Sequence, residues 1–570
     1  MNDIRRTILW VIFGFSMVLL WDQYQIYNGN PATFFPTPAK TAVKPAPAAV
    51  AVSVPSGPTA QPSAVPPGVH VAGTIAPGAQ PGATLAPRQT VMVTTDLYKL
   101  MFDTEGGSLV RAELLKHRDM DDKNKNLVLL DENKDRIYLA QTGLIAGAAG
   151  GAFPNHKGLM TLAPGERTLK EGVNELVVRF ESPDMGGIKL VKTYTLTRGA
   201  YVMNVKHEVF NAGSAAVSPQ LYLQLVRDGN KPPGESAFYS TFTGPALYTE
   251  AQKYQKVEFS DIDKNKAEFE KQAENGYVAM VQHYFASAWL LGDGIKRDLF
   301  ARKVDANLYA VGMITVLDNI APGTSKIVES RLFAGPQEEK ILETLAPGLE
   351  LVKDYGWLTI LAKPLYWLLD QLFALIHNWG WAIVALVLLL KVAFYWLNAK
   401  AYASMAKMKA INPKIMVMRE RLKDKPQEMQ QEMMRIYREE KVNPMGGCLP
   451  IMIQIPVFIA LYWVLLSSVE MRNAPWVLWI SDLSAADPYY VLPFVMTLTT
   501  VLQTALNPAP PDPMQAKLMW FMPLAFSVMF FFFPAGLVLY WLTNNILSIA
   551  QQWVINTRMG VPPQFNLPKF

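Results

Sequence analysis

A lysine lies inside a long apolar run of this 570-residue chain, where a charged group could do chemistry. Lys391 falls within residues 385–394, Ala-Leu-Val-Leu-Leu-Leu-Lys-Val-Ala-Phe. A lysine at the centre of a membrane span costs about 2.5–3.5 kcal/mol. Its ammonium could snorkel toward Asn398, or it could face a wet cavity and attract acidic or polar segments of another polypeptide. We favour the cavity, because no acidic residue lies inside another predicted span to pair with Lys391.

Polar residues recur in the other apolar runs and could line the same cavity. Each could instead hydrogen-bond a neighbouring helix, which is the commoner use of such residues in membranes. The aromatic run at 530–533, with Tyr540 and Trp541, would then form the apolar part of the cavity. The polar candidates are Gln454, Thr497, Thr499, Thr500, Gln503, Ser527, Thr543, Asn544, Asn545 and Ser548.

Enzymatic chemistry has little support in the sequence. His207 beside Glu208 on a predicted strand is a pair that a sugar epimerase would use for proton transfer, but we favour an ordinary strand with alternating polar residues. The sequence has no phosphate-binding glycine loop, zinc signature or nucleophile elbow. Its one cysteine, Cys448, excludes an intrachain disulfide and a multi-cysteine metal site. We therefore predict a non-enzymatic protein without metal or cofactor.

The composition indicates a polytopic α-helical membrane protein. Only 18% of the residues are charged, against about 25% in soluble proteins, and half are apolar. The apolar runs lie mainly in the second half and are about long enough to cross a bilayer. Counting an N-terminal anchor, six spans are expected, and the net charge of +5 is too small to indicate nucleic-acid binding. The other five predicted spans are 381–397, 449–467, 489–506, 518–533 and 536–554.

The N-terminal residues 1–27 predict an uncleaved membrane anchor. Arg5 and Arg6 precede an apolar run, as in a secretory signal, but the run ends in bulky residues that do not suit signal peptidase. Residues 28–89 follow as a linker, with 13 prolines between positions 31 and 87 and almost no charge. Such a stretch favours extended conformations and acts as a spacer.

Residues 90–350 predict an all-β sandwich outside the membrane. Short alternating strands are separated by glycine-containing turns, which is typical of an antiparallel sandwich. Helices are expected only at 260–272 and 338–345. The next segment, 351–378, is apolar but interrupted by Lys363, Pro364 and Asp370. We therefore interpret it as an amphipathic helix lying on the outer membrane surface.

The distribution of basic residues predicts the orientation in the membrane. Residues 398–444 contain 11 lysines and arginines, whereas residues 471–488 contain only Arg472. Basic loops stay in the cytoplasm, so 398–444 is cytoplasmic and the β-domain is periplasmic. Both termini, including a short tail at 558–570, are then cytoplasmic.

The cytoplasmic segment 398–444 predicts a helical hairpin with a turn near 424–426. Methionines recur along it at helical spacing. They could simply hold the two helices together, or they could form an adaptable surface for varied apolar partners. The methionines concerned are Met405, Met408, Met418, Met429 and Met433.

Several segments resemble the YidC/Oxa/Alb membrane insertases. Residues 443–450, Asn-Pro-Met-Gly-Gly-Cys-Leu-Pro, and 454–458, Gln-Ile-Pro-Val-Phe, are similar to the third-span motif of that family. The resemblance is specific over about 355–557, and the earlier anchor, linker and sandwich resemble the Gram-negative form. Further similar segments, in the same order as in the family, are 404–408, 412–415, 482–490, 512–515 and 534–540.

The resemblance implies a five-helix insertase core at 379–557 with a groove open to cytoplasm and lipid but closed outside. The family's groove arginine corresponds to Lys391, which lacks the bidentate fork of arginine. The family's aromatic client contact would fall on Tyr540 or Trp541. Tyr395-Trp396 replaces a common Tyr-Pro, so we expect that helix to continue without a kink. The expected polar lining is Gln454, Ser527, Thr543 and Asn544.

The expected function is insertion and chaperoning of integral membrane proteins in the bacterial inner membrane, alone or with the Sec translocon. Burial of the client's apolar helix in lipid would drive insertion without ATP. Nascent membrane proteins and the bilayer are the expected partners. A ribosome contact would be weak, because residues 560–570 hold a single lysine. The alternatives are a secondary transporter, which needs paired broken helices, or a membrane-anchored periplasmic sugar-binding protein.

Overall fold

The computed structural model describes residues 87–558 except 121, 147–151, 233–240, 423–424, 441–448 and 508–512, together with 560 and 565. The predicted anchor at 1–27 and nearly all of the predicted linker at 28–89 lie outside the described residues. What is described forms two compact units, one ending at Lys353 and the other beginning at Asp354. The first is built mainly of strands and the second of helices.

The first unit contains 18 strands among the described residues. Its sequence alternates as expected of a sheet with one buried face: along Glu175–Glu181, exposed and buried side chains strictly alternate. In chain order the strands are β1 (Thr90–Thr94), β2 (Tyr98–Asp103), β3 (Ser108–Arg118), β4 (Asn126–Glu132), β5 (Ile137–Ile145), β6 (Thr161–Leu162), β7 (Glu175–Glu181), β8 (Ile188–Thr197), β9 (Val202–Asn211), β10 (Gln220–Asp228), β11 (Gly244–Thr249), β12 (Lys253–Lys256), β13 (Gln272–Ala273), β14 (Tyr277–Gln282), β15 (Phe285–Leu291), β16 (Arg297–Asp305), β17 (Leu308–Val316) and β18 (Ser325–Pro336).

These strands form two nine-stranded sheets in which neighbouring strands are antiparallel. One sheet has the order β1-β2-β3-β4-β5-β10-β17-β16-β13, and the other β12-β11-β14-β15-β18-β9-β8-β7-β6. The chain crosses between the sheets several times, so their inner faces form one shared core. The predicted all-β sandwich is confirmed.

Buried aromatic side chains fasten the two sheets to each other. The Tyr98 hydroxyl on β2 donates to the carbonyl oxygen of Ala334 on β18, at 2.5 Å. The Trp289 indole on β15 donates to the carbonyl oxygen of Gln224 on β10, at 3.1 Å. A buried hydroxyl or indole nitrogen needs a hydrogen-bond partner, so these bonds fix how the two sheets face each other. The aromatic rings themselves fill the core.

Two short helices accompany the strands, and one differs from its prediction. The helix expected at 338–345 is present as α2 (Glu339–Leu345). The helix expected at 260–272 is wrong beyond its first turn, because α1 covers only Phe259–Asp263. Asn265 adopts a left-handed conformation with φ of 53°, which ends the helix, and the chain then runs on to the edge strand β13.

The regular secondary structure of the second unit, among the described residues, is helical. The apolar runs of the sequence reappear as helices within a few residues of the expected positions. They are α3 (Thr359–Ile376), α4 (Trp379–Ala393), α5 (Tyr395–Arg421), α6 (Pro426–Glu439), α7 (Leu449–Ser467), α8 (Val491–Leu506), α9 (Pro513–Met529) and α10 (Ala535–Arg558).

By length and composition, α3 alone is long and apolar enough to cross a membrane among the described residues. A second candidate arises if α4 and the first part of α5 are counted as one bent span. Shorter apolar helical stretches occur at Ile455–Ser467, Val491–Leu506 and Ala516–Phe532. The count of six spans therefore stays a prediction.

The helix expected to continue past Tyr395 is instead broken at Phe394. The axes of α4 and the first part of α5 differ by 66°, and Phe394 has ψ of 9°, outside the usual helical range. Contacts to α10 hold both sides of the break: Lys391 hydrogen-bonds Ser548, and Asn398 hydrogen-bonds Gln551. Tertiary contacts therefore bend this helix without a proline.

Helix α3 buries two of its polar side chains and leaves several of its large apolar ones exposed. Asp370 and Tyr366 are buried, and the Tyr366 hydroxyl donates to Glu470 at 2.6 Å. Ile360, Trp367 and Leu375 are exposed. Large apolar side chains on the exposed face are unusual in a soluble protein and suit a helix whose outer side meets lipid.

Candidate functional site

Lys391 sits near the end of α4 and is almost completely buried, with 9% of its surface exposed. Its ammonium donates a hydrogen bond to the Ser548 hydroxyl on α10, with Nζ and Oγ 2.7 Å apart. The Ser548 hydroxyl in turn donates to the backbone carbonyl of Asn544, at 2.7 Å. Among the described residues no aspartate or glutamate pairs with Lys391. The charge is thus held by a neutral hydroxyl.

The local structure at the start of α4 helps to position Lys391. Helix α4 begins after Asn378, whose side-chain oxygen accepts a hydrogen bond from the Trp381 backbone N–H at 3.1 Å, a typical N-cap. The amide of Asn378 also donates to the Pro475 carbonyl at 3.2 Å. The start of α4 is therefore tied to the loop before α8, and Lys391 lies three turns further on.

A polar stripe on α10 runs through Ser548. Asn544, Ser548, Gln552 and Asn556 follow one another at intervals of four residues, so they share one helix face, and all four are buried. On the α8 side, the Asn545 amide donates to the Thr500 hydroxyl at 2.9 Å. Ser548 in the stripe and Asn545 beside it thus bind α10 to α4 and α8.

A small cavity beside Lys391, which we call the Lys391 pocket, lies between α4, α7 and α10. Its volume of about 10 Å³ is close to the least that can hold one water molecule. The Tyr540 hydroxyl is buried at this pocket and has no hydrogen-bond partner in the part of the chain that the structure describes. The pocket is lined by Val387, Leu390, Lys391, Phe394, Val457, Phe458, Tyr540 and Asn544.

An aromatic cluster around Trp541, the residue after Tyr540 on α10, adjoins the pocket. The Trp541 ring stacks on Phe458 at 6.1 Å and meets Phe530 edge-on at 5.0 Å between ring centroids. Phe458 also contacts Tyr540, at 5.8 Å. A cation, an unpaired hydroxyl and an apolar aromatic surface therefore lie next to one another.

The other predicted lining residues lie apart from Lys391 or outside the description. The Ser527 hydroxyl donates to the Pro523 carbonyl, and the Thr543 hydroxyl to the Leu539 carbonyl, each at 2.8 Å within its own helix. The side chain of Gln454 lies outside the described residues. Asn544 is the member of the predicted lining that reaches the Lys391 pocket.

Sequence reasoning listed Ser548 only among many polar residues and did not single it out as the partner of Lys391. It also missed Gln551 and Gln552 toward the C-terminal end of α10. The available signal was their spacing, because polar residues every fourth position mark one helix face. Which residue on the facing helix they would meet could not be read from that spacing.

The methionines of the hairpin pack between its two helices. Ile411, Ile415 and Met418 on α5 form a buried cluster, and Met408, Met429 and Met433 pack against it. The side chain of Met405 lies outside the described residues. An ion pair between Lys414 and Glu440, at 2.5 Å, also joins the two helices. This placement supports a role in holding the hairpin together.

The alternative site at His207 and Glu208 cannot act as a surface acid–base pair. His207 is fully buried and its ring contacts the Thr142 hydroxyl at 3.0 Å, whereas Glu208 points to the opposite face of β9. Burial, and secondarily the nearby Lys192 ammonium, lower the pKa of the His207 imidazole to about 3. Lys192 itself donates to the carbonyls of Gly106 and Thr142, at 2.6 and 2.7 Å. This is an internal structural network.

Comparison with known proteins identifies the family. The family model described as YidC periplasmic domain matches residues 90–368, and the one described as 60Kd inner membrane protein matches residues 371–561.

The membrane protein insertase YidC of Cupriavidus necator is 55% identical over 562 residues, 98% of each chain. That of Janthinobacterium sp. is 52% identical over 574 residues, 98% of this chain and all of the other. A crystal structure of an active YidC insertase with its first transmembrane domain resolved is 20% identical, with a TM-score of 0.36, and the match covers 82% of this chain and 94% of that one. The chain belongs to the YidC family of membrane protein insertases.

Proposed function

We propose that this chain inserts nascent membrane proteins into the bacterial inner membrane by way of the Lys391 pocket and the aromatic cluster beside it. As a YidC insertase it is not an enzyme, and its β-sandwich is periplasmic. The observation that carries the proposed route is the buried ammonium of Lys391, held by the Ser548 hydroxyl without an acidic partner among the described residues. A buried cation without a counter-ion marks a functional site in a membrane protein by default.

In the first step a polar segment of the client reaches Lys391 from the cytoplasm. A lysine ammonium has three N–H donors, and one of them is used by Ser548. A client carboxylate or backbone carbonyl can take another, and a carboxylate gains more because it also neutralises the charge. The unpaired Tyr540 hydroxyl offers a second polar contact in the same pocket.

In the second step the apolar helix of the client moves past the aromatic side chains into lipid. Phe458 and Trp541 are partly exposed beside the Lys391 pocket, and the buried Phe530 packs against Trp541 and supports this apolar surface. Burial of apolar surface contributes about 25 cal/mol per Å², so a span of about 20 apolar residues gains far more than a short polar segment costs. This gain drives insertion.

A lysine instead of the family's usual arginine suits this arrangement. Lysine acts as a compact point charge on a flexible stem, whereas arginine presents a planar fork that favours bidentate partners. Lys391 can therefore move between Ser548 and a client group without needing two aligned acceptors. We expect arginine at this position to preserve the function.

The orientation of the chain completes the proposal. We place the hairpin at 398–444 and both termini in the cytoplasm, with six spans and α3, within 351–378, at the outer surface. The support is the 11 basic residues of that hairpin against six acidic ones and the single Arg472 in residues 471–488. The outward apolar side chains of α3 suit contact with the bilayer. The insertase core is 379–557, after the anchor at 1–27 and the linker at 28–89.

Cytoplasmic and membrane partners follow from the same surfaces. The hairpin carries the net positive charge that an approaching ribosome would meet, while residues 560–570 add one lysine, so we propose a weak ribosome contact. Association with the Sec translocon belongs to this proposal for clients with large periplasmic domains. A chaperone role in folding inserted helices uses the same apolar surface.

Photo-crosslinking tests the route directly. A photoreactive phenylalanine analogue at Tyr540 should crosslink to a nascent client that is being inserted by the full-length chain in native membranes. The same analogue at Val316, which is exposed on β17, serves as the matched control. Equal crosslinking from both positions, or none from position 540, would contradict the proposed route.

A further inference from the structure

The loop between α7 and α8, residues 472–490, presents a leucine almost entirely outward. Leu478 is 86% exposed and has a left-handed backbone with φ of 53°. This backbone conformation is costly for a leucine. If the exposed side chain lay in water, no hydrophobic burial would offset that cost. The loop thus adopts a strained backbone that holds an apolar tip, the Leu478 side chain, away from the protein.

The loop is held firmly, so the tip cannot simply fold back. The Asp487 carboxylate accepts hydrogen bonds from the Trp479 indole at 2.9 Å and from the backbone N–H of Leu492 at 2.8 Å. The backbone N–H of Gly536 donates to the Leu483 carbonyl at 2.8 Å, which ties the loop to the start of α10. Leu478 is therefore displayed by a rigid support.

Aromatic residues on either side of the tip connect it to the ends of two helices. Trp476 packs on Gly380 at the start of α4, where any Cβ would come within 2.2 Å of the indole, and it meets Trp381 at 5.6 Å. Trp479 meets Tyr489 at 6.0 Å, just before α8. Tryptophan and tyrosine combine an apolar ring with a polar group and concentrate at the membrane–water boundary.

The apolar surface continues from the loop along α8. Phe494 and Leu498 share one face of α8 and are exposed, as is Tyr490 just before the helix. Phe494 and Leu498 belong to an apolar helix of the insertase core, so the bilayer covers this face. The surface that begins at Leu478 is continuous with one that lies in lipid.

We propose that Leu478, with Trp381, Tyr489 and Tyr490, anchors this end of the core in the outer leaflet, at the boundary between headgroups and acyl chains. The partner is phospholipid, because the apolar residues surround the ends of two helices and do not form a groove of their own. The anchor fixes the depth of α4 in the bilayer, and Lys391 lies on that helix. Only the choice of leaflet depends on the orientation proposed above.

Site-specific fluorescence tests the anchor. The one native cysteine is replaced by Cys448→Ser, and Leu478→Cys then carries a bimane label in the full-length chain, reconstituted in phosphatidylethanolamine and phosphatidylglycerol vesicles. Quenching is measured with phospholipid brominated near the headgroup and with aqueous iodide. Phe494→Cys serves as the lipid-facing control, and Ile327→Cys, exposed on β18, as the aqueous control.

The anchor predicts that brominated lipid quenches the label at position 478 nearly as well as at 494, while iodide quenches it far less than at 327. Tyr489→Cys should behave like position 478 and provides an independent position in the same anchor. Iodide quenching at 478 equal to that at 327 would overturn the proposal. Shielding of 478 from both quenchers would also overturn it, because a protein surface would then cover the tip.

Discussion

Lys192 in the first unit and Lys391 in the second, both buried, show how the same side chain serves structure in one place and function in another. Lys192 in the β-sandwich donates to the carbonyls of Gly106 and Thr142, so its ammonium links the two sheets. Lys391 in the helical unit donates to one hydroxyl, that of Ser548, beside a pocket with an unpaired Tyr540 hydroxyl. Two of the three N–H donors of Lys192 go to backbone carbonyls, whereas Lys391 uses one donor among the described residues and keeps two for another molecule.

Their surroundings explain the difference. Both acceptors of Lys192 are backbone carbonyls at fixed positions: Thr142 lies on β5, and Gly106 lies in the turn between β2 and β3. Helices use their carbonyls mainly for their own internal hydrogen bonds, and the partner of Lys391 on α10 is a side-chain hydroxyl. Side-chain partners can rotate away, which lets a client replace them.

The largest expected effect is the loss of the charge at Lys391. Lys391→Met should slow the insertion of clients with an acidic translocated tail at least roughly tenfold, equivalent to about 1.4 kcal/mol. The reason is that the pocket would lose its attraction for the tail. The measurement is protease protection of the client after insertion into proteoliposomes containing the full-length chain.

Two matched variants control this prediction. Lys400→Met removes an exposed lysine on α5, which lies over the Trp396 ring, and should leave insertion unchanged. Lys391→Arg should keep most of the activity. If Lys391→Met inserts acidic-tailed and neutral-tailed clients equally fast, the pocket charge plays no part in the route.

The stability of the β-sandwich should rise with pH because of Lys192. Burial lowers the pKa of the Lys192 ammonium to about 7, from about 10.5 when unfolded. Between these values the unfolded chain binds a proton that the folded chain has released. Stability therefore increases as pH rises through this window, by up to about 1.4 kcal/mol per pH unit, and falls to its lowest level below pH 7.

Urea denaturation of the full-length chain in detergent, followed by the circular dichroism of the sheets, measures this slope from pH 7 to 9. Lys192→Met should flatten the slope, whereas Lys189→Met, an exposed lysine on the same strand, should not. Insertion should be unaffected if Lys192 is purely structural. A slope that persists in Lys192→Met would show that another group titrates.

A smaller effect is expected from the partner of Lys391. Ser548→Ala removes the hydroxyl that positions the ammonium, a hydrogen bond of about 1 kcal/mol, and should slow the insertion of acidic-tailed clients roughly fivefold. Ser548→Thr should restore it. The informative measurement is the ratio of rates for acidic-tailed and neutral-tailed clients.

Thr557→Ala is the matched control on the same helix, because the Thr557 hydroxyl bonds only the Trp553 carbonyl among the described residues. A merely structural role for Ser548 would lower both rates together. An unchanged ratio in Ser548→Ala would thus show that Ser548 does not position Lys391.

The smallest effect should come from the Tyr540 hydroxyl. Tyr540→Phe removes a buried group without a partner among the described residues, so the helical unit should gain up to about 1 kcal/mol in stability. Insertion should slow about twofold, because a client loses one hydrogen bond. Thermal unfolding and insertion measured on the same preparation test both halves, and lower stability in Tyr540→Phe would mean that the hydroxyl has a partner after all.

Much of the fold could be predicted where local pattern and final environment agree. Alternation along 175–181 predicted a strand because one face of that strand is buried in the sandwich. The apolar runs predicted the helices of the core within a few residues. The helix expected at 260–272 was wrong because its polar periodicity competed with Asn265, whose left-handed conformation ends the first turn.

The candidate site was only partly predictable for a different reason. Lys391 stood out because a charge in an apolar run is costly wherever the helix packs. The break at Phe394 and the pairing with Ser548 depend on which faces of α4, α5 and α10 meet, and these residues are about 150 positions apart in the chain. No local pattern contains that information.

The sequence by itself determined the family, the alternation of strands and helices, and the single charge in an apolar run, because these depend on composition, periodicity and short motifs. The tertiary structure decided that Lys391 donates to a hydroxyl, that the nearby Tyr540 hydroxyl has no partner in the described part of the chain, and that Leu478 is held outward. Hydrogen bonds and exposure depend on neighbours brought together by packing. Residues distant in sequence become partners only when packing determines which helix faces are in contact.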